Sequence, residues 1–277
     1  MSAMSHAPGR SSEGRAALEF NNVTCAFGPY VALERASLKV ADGEFVSIVG
    51  PTGCGKSTLL NVAAGLLEPT SGTALKHGEP IDGLNLSAGY VFQSDTLMPW
   101  RSALNNVIVG LEYRGIPRAE ALMRGQEWLE RVGLGSHGHR FPHQMSGGMR
   151  KRCALAQVLI MEPRTLLMDE PFSALDIQTR QIMENELLEL WSTDRKSVLF
   201  ITHDLEEAIS LSDRVILLSA GPNTRPIGEF VVDLPRPRDV AEIRLTPTFL
   251  DIHQRVWAAM KEEVMKAYAR NREKLAS

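Results

Sequence analysis

Three stretches of the sequence carry residues whose types and spacing suit nucleotide chemistry. Gly50-Pro51-Thr52-Gly53-Cys54-Gly55-Lys56-Ser57-Thr58 satisfies the pattern G-x-x-x-x-G-K-[ST] of a phosphate-binding loop. Its glycines let backbone N–H groups turn inward around phosphate oxygens, and a helix starting at its end adds a favourable dipole. Lys56 brings a full positive charge to the β and γ phosphates of ATP, and Ser57 would ligate Mg²⁺. Cys54 occupies a place that wants a small residue. The second stretch, Thr165-Leu166-Leu167-Met168-Asp169-Glu170, is mostly apolar and ends in adjacent carboxylates. Successive strand residues point opposite ways, so the two acids can divide the work. Asp169 is placed to hold Mg²⁺, directly or through water, and Glu170 to orient and deprotonate an attacking water. The third stretch, Gln144-Met145-Ser146-Gly147-Gly148-Met149-Arg150-Lys151-Arg152, ends a loop and starts a helix with Ser146 as its N-cap.

These residues need elements to hold them. Short β-rich runs alternate with helical patterns from Leu18 to about Ala220, the mark of a mainly parallel sheet covered by helices. The strand candidates are Phe45 to Val49, Ala88 to Phe92, Thr165 to Met168, Val198 to Thr202 and Arg214 to Leu218. Several are apolar on consecutive residues, as befits strands buried on both faces. Between Ser94 and Gln144 the strand signal vanishes, and helical stretches such as Ala119 to Val132 are punctuated by Gly115, Pro117 and Gly133. After Gly221 come a β-like segment, Ile227 to Leu234, the stretch Pro235 to Arg238, and a helix from near Thr248. Its residues Ile252, Val256, Met260, Val264 and Tyr268 recur at i+4, a stripe that should pack on the core. The expected division is a flexible tail (1–17), an α/β core (18–93 and 145–220), a helical subdomain (94–144) and a C-terminal β segment with its helix (221–277).

Composition narrows the function class. The 277 residues are 44% hydrophobic and 23% charged, enough for one sizeable core. The balance of 30 Lys and Arg against 33 Asp and Glu, a formal charge of −3, gives no electrostatic case for nucleic acid or an anionic bilayer as main partner. No window approaches the roughly twenty apolar residues of a membrane span, and the opening lacks the apolar region of an export signal. Cys25, Cys54 and Cys153 are odd in number and far apart, which reads as three reduced thiols. His137, His139 and His143 read as part of an exposed loop, since no nearby Cys or carboxylate completes a metal ligand set.

The Gln144 to Arg152 stretch resembles the Leu-Ser-Gly-Gly-Gln signature of the ABC ATPase family, and the likeness extends over roughly residues 18 to 270. Met145 replaces the Leu, and Met149 replaces the Gln, removing an amide. A Met in that fifth place, together with Val91-Phe92-Gln93, Leu97-Met98-Pro99-Trp100-Arg101, Asn105-Asn106-Val107, Gly110-Leu111-Glu112 and Leu234-Pro235-Arg236-Pro237-Arg238, is similar to the nitrate, taurine and aliphatic-sulfonate importers. The implied fold is a P-loop NTPase core of ABC type with an inserted helical subdomain and an N-terminal antiparallel β part.

The resemblance also implies roles. Ser146, Gly147 and Gly148 would bind the γ-phosphate of a nucleotide held by the other subunit. Gln93 would touch Mg²⁺ and the water and link core to helical subdomain. Ser173-Ala174-Leu175-Asp176 would cross the dimer interface. His203, within Ile201-Thr202-His203-Asp204, would be the switch histidine, and Phe27 would stack on adenine where the family usually has Tyr. The implied partners are a second copy or a homologous ATPase, an integral-membrane permease and, through it, a periplasmic or extracellular solute-binding protein, with the chain at the cytoplasmic face of the inner membrane. Near Gln93, the apolar Leu97, Met98 and Trp100 could form the permease dock or fill the helical subdomain's own core. The alternative class is an ABC ATPase without a permease. Such proteins carry long coiled-coil insertions or two fused ATPase domains, whereas this chain has one phosphate loop and no heptad run.

Overall fold

The computed structural model describes residues 16–276. Of the residues expected to form a tail, 1–15 lie outside the described part, and Ala16 and Ala17 already belong to the first strand. In chain order the elements are β1 (Ala16–Phe27), β2 (Tyr30–Ala41), β3 (Phe45–Val49), α1 (Lys56–Ala63), β4 (Ser71–Lys76), β5 (Glu79–Pro80) and β6 (Ala88–Val91). Then come α2 (Ala103–Val107), α3 (Val109–Tyr113), α4 (Arg118–Arg131), α5 (Gly147–Leu159), β7 (Thr165–Asp169), α6 (Ile177–Thr193) and β8 (Ser197–Ile201). The chain continues through α7 (Leu205–Leu211), β9 (Arg214–Leu218), β10 (Pro226–Val231), α8 (Val240–Ile243) and α9 (Pro247–Ala276).

Two sheets result. β2, β1, β4 and β5 form an antiparallel sheet. The larger sheet runs β10-β9-β3-β8-β7-β6, parallel throughout except for β10 at its edge. β3 and β8 are buried at every residue, which is why their sequences are apolar without alternation. α1 packs between the sheets: Leu59, Leu60, Val62 and Ala63 meet Leu18, Phe20 and Leu33 on one side and Ile48, Leu167 and Ile201 on the other. Parallel pairing delivers the C-terminal ends of β3, β8, β7 and β6 along one edge, and every catalytic candidate of the core leaves from that edge.

Residues 94–144 hold α2, α3 and α4, whose Val107, Ile108, Leu111, Ala121 and Leu129 share a core with Cys153, Ala156 and Ile160 around α5. Leu97 belongs to this core, whereas Trp100 is 73% exposed, so the subdomain's own core takes up only part of the apolar group near Gln93. At the other end of the molecule, Phe249, Ile252, Val256 and Met260 of α9 pack on Ala208 and Ile209 of α7 and on Val215 and Leu217 of β9. The expected stripe therefore covers the core over its first three members. Val264 is only partly buried, and Tyr268 is a correction: it is exposed. Among the described residues no helix is long and apolar enough to cross a membrane, and the three cysteines are free and buried.

Candidate nucleotide site

β3 runs straight into the glycine-rich loop. Gly53 and Gly55 hold φ of 76° and 101°, a region that glycine enters without steric cost. A Cβ on Gly55 would also come to 3.2 Å from the Ala32 carbonyl oxygen. No side chain caps α1, so its first N–H groups are left to an external acceptor, and their dipole favours an anion. The Lys56 Nζ donates to the carbonyl oxygens of Gly50 at 3.0 Å and Pro51 at 3.2 Å, which holds the buried ammonium over the loop. Loop, uncapped helix and cation together fit a polyphosphate.

β7 ends beside this loop. Asp169 accepts a hydrogen bond from Ser57, and the Tyr90 hydroxyl lies 3.5 Å from its Oδ2. Burial raises the Asp169 pKa above the ordinary carboxylate value; the neighbouring Glu170 charge adds to this, while the Ser57 hydrogen bond and the Lys56 charge oppose it. A half-buried carboxylate whose charged form is disfavoured, in contact with a serine hydroxyl at a phosphate loop, fits a divalent cation.

Glu170 departs from the strand with φ of 44°, left-handed and costing about 1–2 kcal/mol for a residue with a side chain. Its N–H donates to the Ile201 carbonyl at 2.9 Å, which fixes the bend to β8. The bend carries its carboxylate to His203, whose Nδ1 is 3.0 Å from Oε2, and to Gln93, whose Nε2 is 3.4 Å from the same oxygen. Ser173 Oγ donates to the Glu170 carbonyl at 3.0 Å. Phe92, Gln93, Ser94, Asp169, Glu170, Ser173, Ala174 and His203 line a cleft of about 550 Å³. A separate hollow of about 600 Å³ between α4, α5 and α6 contains none of these residues and has Trp128, Arg152 and Trp191 in its wall.

Ser146 caps α5 as its type suggests, its hydroxyl accepting from the Met149 N–H at 3.3 Å. It does not line the cleft, nor do Gly147 and Gly148. Leu175 is buried and Asp176 caps α6, while Ala174 is exposed. Phe27 sits at the turn between β1 and β2, 51% exposed and also outside the cleft.

Two groups escaped sequence reasoning. Lys151 reads as one of three consecutive cations on a solvated helix start, yet it is buried: its Nζ donates to the carbonyls of Gln93 at 2.6 Å and Phe92 at 3.2 Å. Arg150 Nε pairs with Asp95 at 2.8 Å. The helix behind Ser146 is thereby latched to the segment carrying Gln93. Tyr90, the other omission, stacks on Phe92 with ring centroids 4.1 Å apart. The spacing of charges carried no sign of either contact.

A glycine-rich loop between β3 and α1, carboxylates at the end of β7 and a parallel sheet joining them define a P-loop nucleotide hydrolase. The ABC transporter family profile matches residues 33–173, and the chain belongs to that family. An uncharacterised ABC transporter ATP-binding protein of Methanocaldococcus jannaschii is 45% identical over 237 residues, 85% of this chain and 86% of that protein. The taurine import ATP-binding protein TauB of Yersinia pestis is 44% identical over 191 residues, 69% of this chain and 75% of that protein. Among solved structures, a dimeric ATP-binding cassette in a post-hydrolysis state with ADP and Pi aligns with a TM-score of 0.68 at 31% identity, over 79% of this chain and 100% of that one. The cbiO1 protein of Clostridium perfringens, part of the complex cbiONQ, aligns with a TM-score of 0.72 at 26% identity, over 86% and 94%. The chain is an ATP-binding cassette ATPase of the transporter family.

Proposed function

We propose that this chain hydrolyses ATP as the motor subunit of an importer for a small anionic or zwitterionic solute of the nitrate, sulfonate or taurine kind. The observation that carries the chemistry is the Glu170 carboxylate, bent away from β7 and held between His203 and Gln93. A carboxylate so placed accepts a proton from a water aimed at the γ-phosphate, with Gln93 and His203 fixing its direction. Gly50 to Thr58 receive the phosphates, and Phe27 offers a ring face to the base. Ser57, Asp169 and Gln93 would hold Mg²⁺, which when bound screens phosphate charge and polarises the γ-phosphoryl group.

In the same reading Ser146, Gly147 and Gly148 complete the site of a second copy, and Ser173 to Asp176 line the seam between copies; the dimeric form of the ADP-bound relative supports this pairing. Closure of that dimer around ATP and its release after hydrolysis would move a membrane permease docked near the exposed Trp100, with the chain peripheral at the inner membrane's cytoplasmic face. Residues 18–93 and 145–220 then act as the core, 94–144 as the helical subdomain that carries the dock, and 221–277 as a C-terminal support. The likeness to TauB supports import and the solute class. Glu170→Gln should bind ATP normally and lose about 10²- to 10⁴-fold in turnover. Steady-state phosphate release from the purified variant is the test, and full turnover would remove Glu170 from the role.

A further inference from the structure

The phosphate loop does not stand alone at the edge of the sheet. β9 pairs in parallel with β3, so the chain leaving β9 emerges beside the loop leaving β3, and Gly50 lies against the Leu218 carbonyl. Beyond Leu218, Gly221 faces the phosphate loop. A Cβ on Gly221 would stand 3.4 Å from Cys54 Cα and 3.5 Å from the Gly53 carbonyl oxygen, so the gap between Gly221 and the loop is only as wide as one side-chain carbon. The chain just past Gly221 is stitched to β2: Asn223 N donates to Val31 O at 2.8 Å, Thr224 N to Ala32 O at 3.2 Å, and Glu34 N to Thr224 O at 2.9 Å. Ala32 and Leu33 are in turn the residues that back Gly55.

What holds the near end is a pair of charged residues on α9. Glu263 is buried, and its Oε2 accepts from the Ala220 N–H at 2.7 Å while Oε1 accepts from Lys266 at 2.5 Å. Arg270 Nη1 donates to the Gly221 carbonyl at 2.6 Å. The packing of α9 is supplied by Phe249, Ile252, Val256 and Met260, so a carboxylate buried beyond them adds desolvation cost without adding apolar contact. Burial alone would raise its pKa, but the hydrogen bonds from Lys266 and Ala220 outweigh that and hold it below the ordinary value, so it is charged where it meets Ala220. Among the described residues, its hydrogen bond outside α9 goes to Ala220, next to the Gly221 that faces the phosphate loop.

We propose that Glu263 and Arg270 are positioning residues for ATP: they pin Ala220–Gly221 against Gly53–Cys54 and so set the shape of the phosphate cradle from the C-terminal helix. They act through the loop backbone and touch neither nucleotide nor water, so their loss lowers affinity and leaves saturated turnover alone. The inference rests on residues 50–58 being the ATP cradle.

The test measures the Kd for Mg·ATP, saturated kcat and thermal melting on the full chain carrying Glu263→Leu, Arg270→Met, Arg270→Lys or Val256→Ala. Glu263→Leu and Arg270→Met should each raise Kd about fivefold or more at unchanged kcat. Arg270→Lys should recover most of that loss. Val256→Ala, which loosens α9 without touching the loop, should lower the melting temperature and keep the wild-type Kd. Arg270 is on the surface, so its variants fold even if Glu263→Leu does not. Kd within twofold of wild type for both Arg270→Met and a folded Glu263→Leu overturns the proposal, as does a rise with Val256→Ala equal to that with Arg270→Met. Lys56→Ala separates the two levels: if it binds ATP normally the cradle itself is misplaced, whereas if it loses ATP while the α9 variants do not, only the inference fails.

Discussion

One turn beyond His203, a carboxylate sits where water barely reaches. Glu207 on α7 is 3% exposed, and its Oε1 has no hydrogen-bond partner. Burial is the main cause that pushes its pKa up to about 8; the charges of Glu184 and Asp204 add to it, and the Thr202 hydroxyl opposes it. Glu184, fully buried, is pushed up to about 7 by the same cause even though Arg244 lies 2.9 Å away. An acid whose folded pKa exceeds its unfolded value binds its proton more tightly in the native state. Stability from that proton is therefore complete below about 4.5 and is lost as pH rises toward 8. Glu207→Gln keeps the shape and removes the titration. Its gain in unfolding free energy should be larger at pH 8 than at pH 5, by roughly 3 kcal/mol. Urea melts at both pH values decide it, and an equal effect at both would show that Glu207 is charged throughout. Residue by residue, motif spacing singled out Lys56, Asp169 and Glu170, and the fold brings all three to one edge of the larger sheet. The sequence hid Lys151, Glu207 and Glu263, because a charge on an amphipathic helix looks the same whether its tip meets water or a backbone amide.

Among the elements, strands buried on both faces were the most legible, since β3, β7, β8 and β9 differ from the expected limits by no more than a residue at either end. β1 and β2 were not delimited. The Asn21-Asn22 pair interrupts the alternation of β1, and the ladder with β2 shifts register there, with Asn22 at φ of 50°. α8 is four residues long, too short for a helical period to show. Within α4 the surprise is Gly125. Glycine inside a helix ordinarily costs up to about 1 kcal/mol relative to alanine, so Gly125→Ala would be a stabilising change on propensity alone. Here an added Cβ would stand 2.3 Å from Ile108 Cγ2 and 2.9 Å from Leu104 Cδ1, because α4 is pressed against the chain around α2. Overpacking of about 1–3 kcal/mol outweighs the propensity gain, so Gly125→Ala should lower unfolding free energy while the ATP affinity of the distant cradle stays as it was. Chemical denaturation beside a nucleotide titration measures both terms. A stabilised variant would mean that the helices part easily.

At the scale of the molecule, the residues divide into those that one chain assembles and those that it leaves apart. Gln93, Asp169, Glu170, Ser173 and His203 share a cleft, whereas Ser146, Gly147 and Gly148 lie outside it, at a helix start packed by Leu175 and Thr179 of the same chain. That separation was written in the sequence only through likeness to a family, because spacing along a chain cannot say which of two copies a loop will serve. If two copies exchange these turns, each ATP sits between Lys56 of one and Ser146 of the other. A Lys56→Ala chain and a Ser146→Arg chain are then each inactive alone, since every site in either homodimer carries a lesion. In their heterodimer both lesions fall in one site, and the second site is whole. Random pairing at equal amounts makes half the dimers mixed, with one intact site of two, so the blend should regain about a quarter of wild-type ATP turnover. Sites contained within single chains would regain nothing at any mixing ratio. Because the expected recovery varies with the product of the two chain fractions, a titration of one variant into the other should rise and fall about a maximum at equal amounts. A flat response would place the signature turn and the phosphate loop in the service of the same subunit.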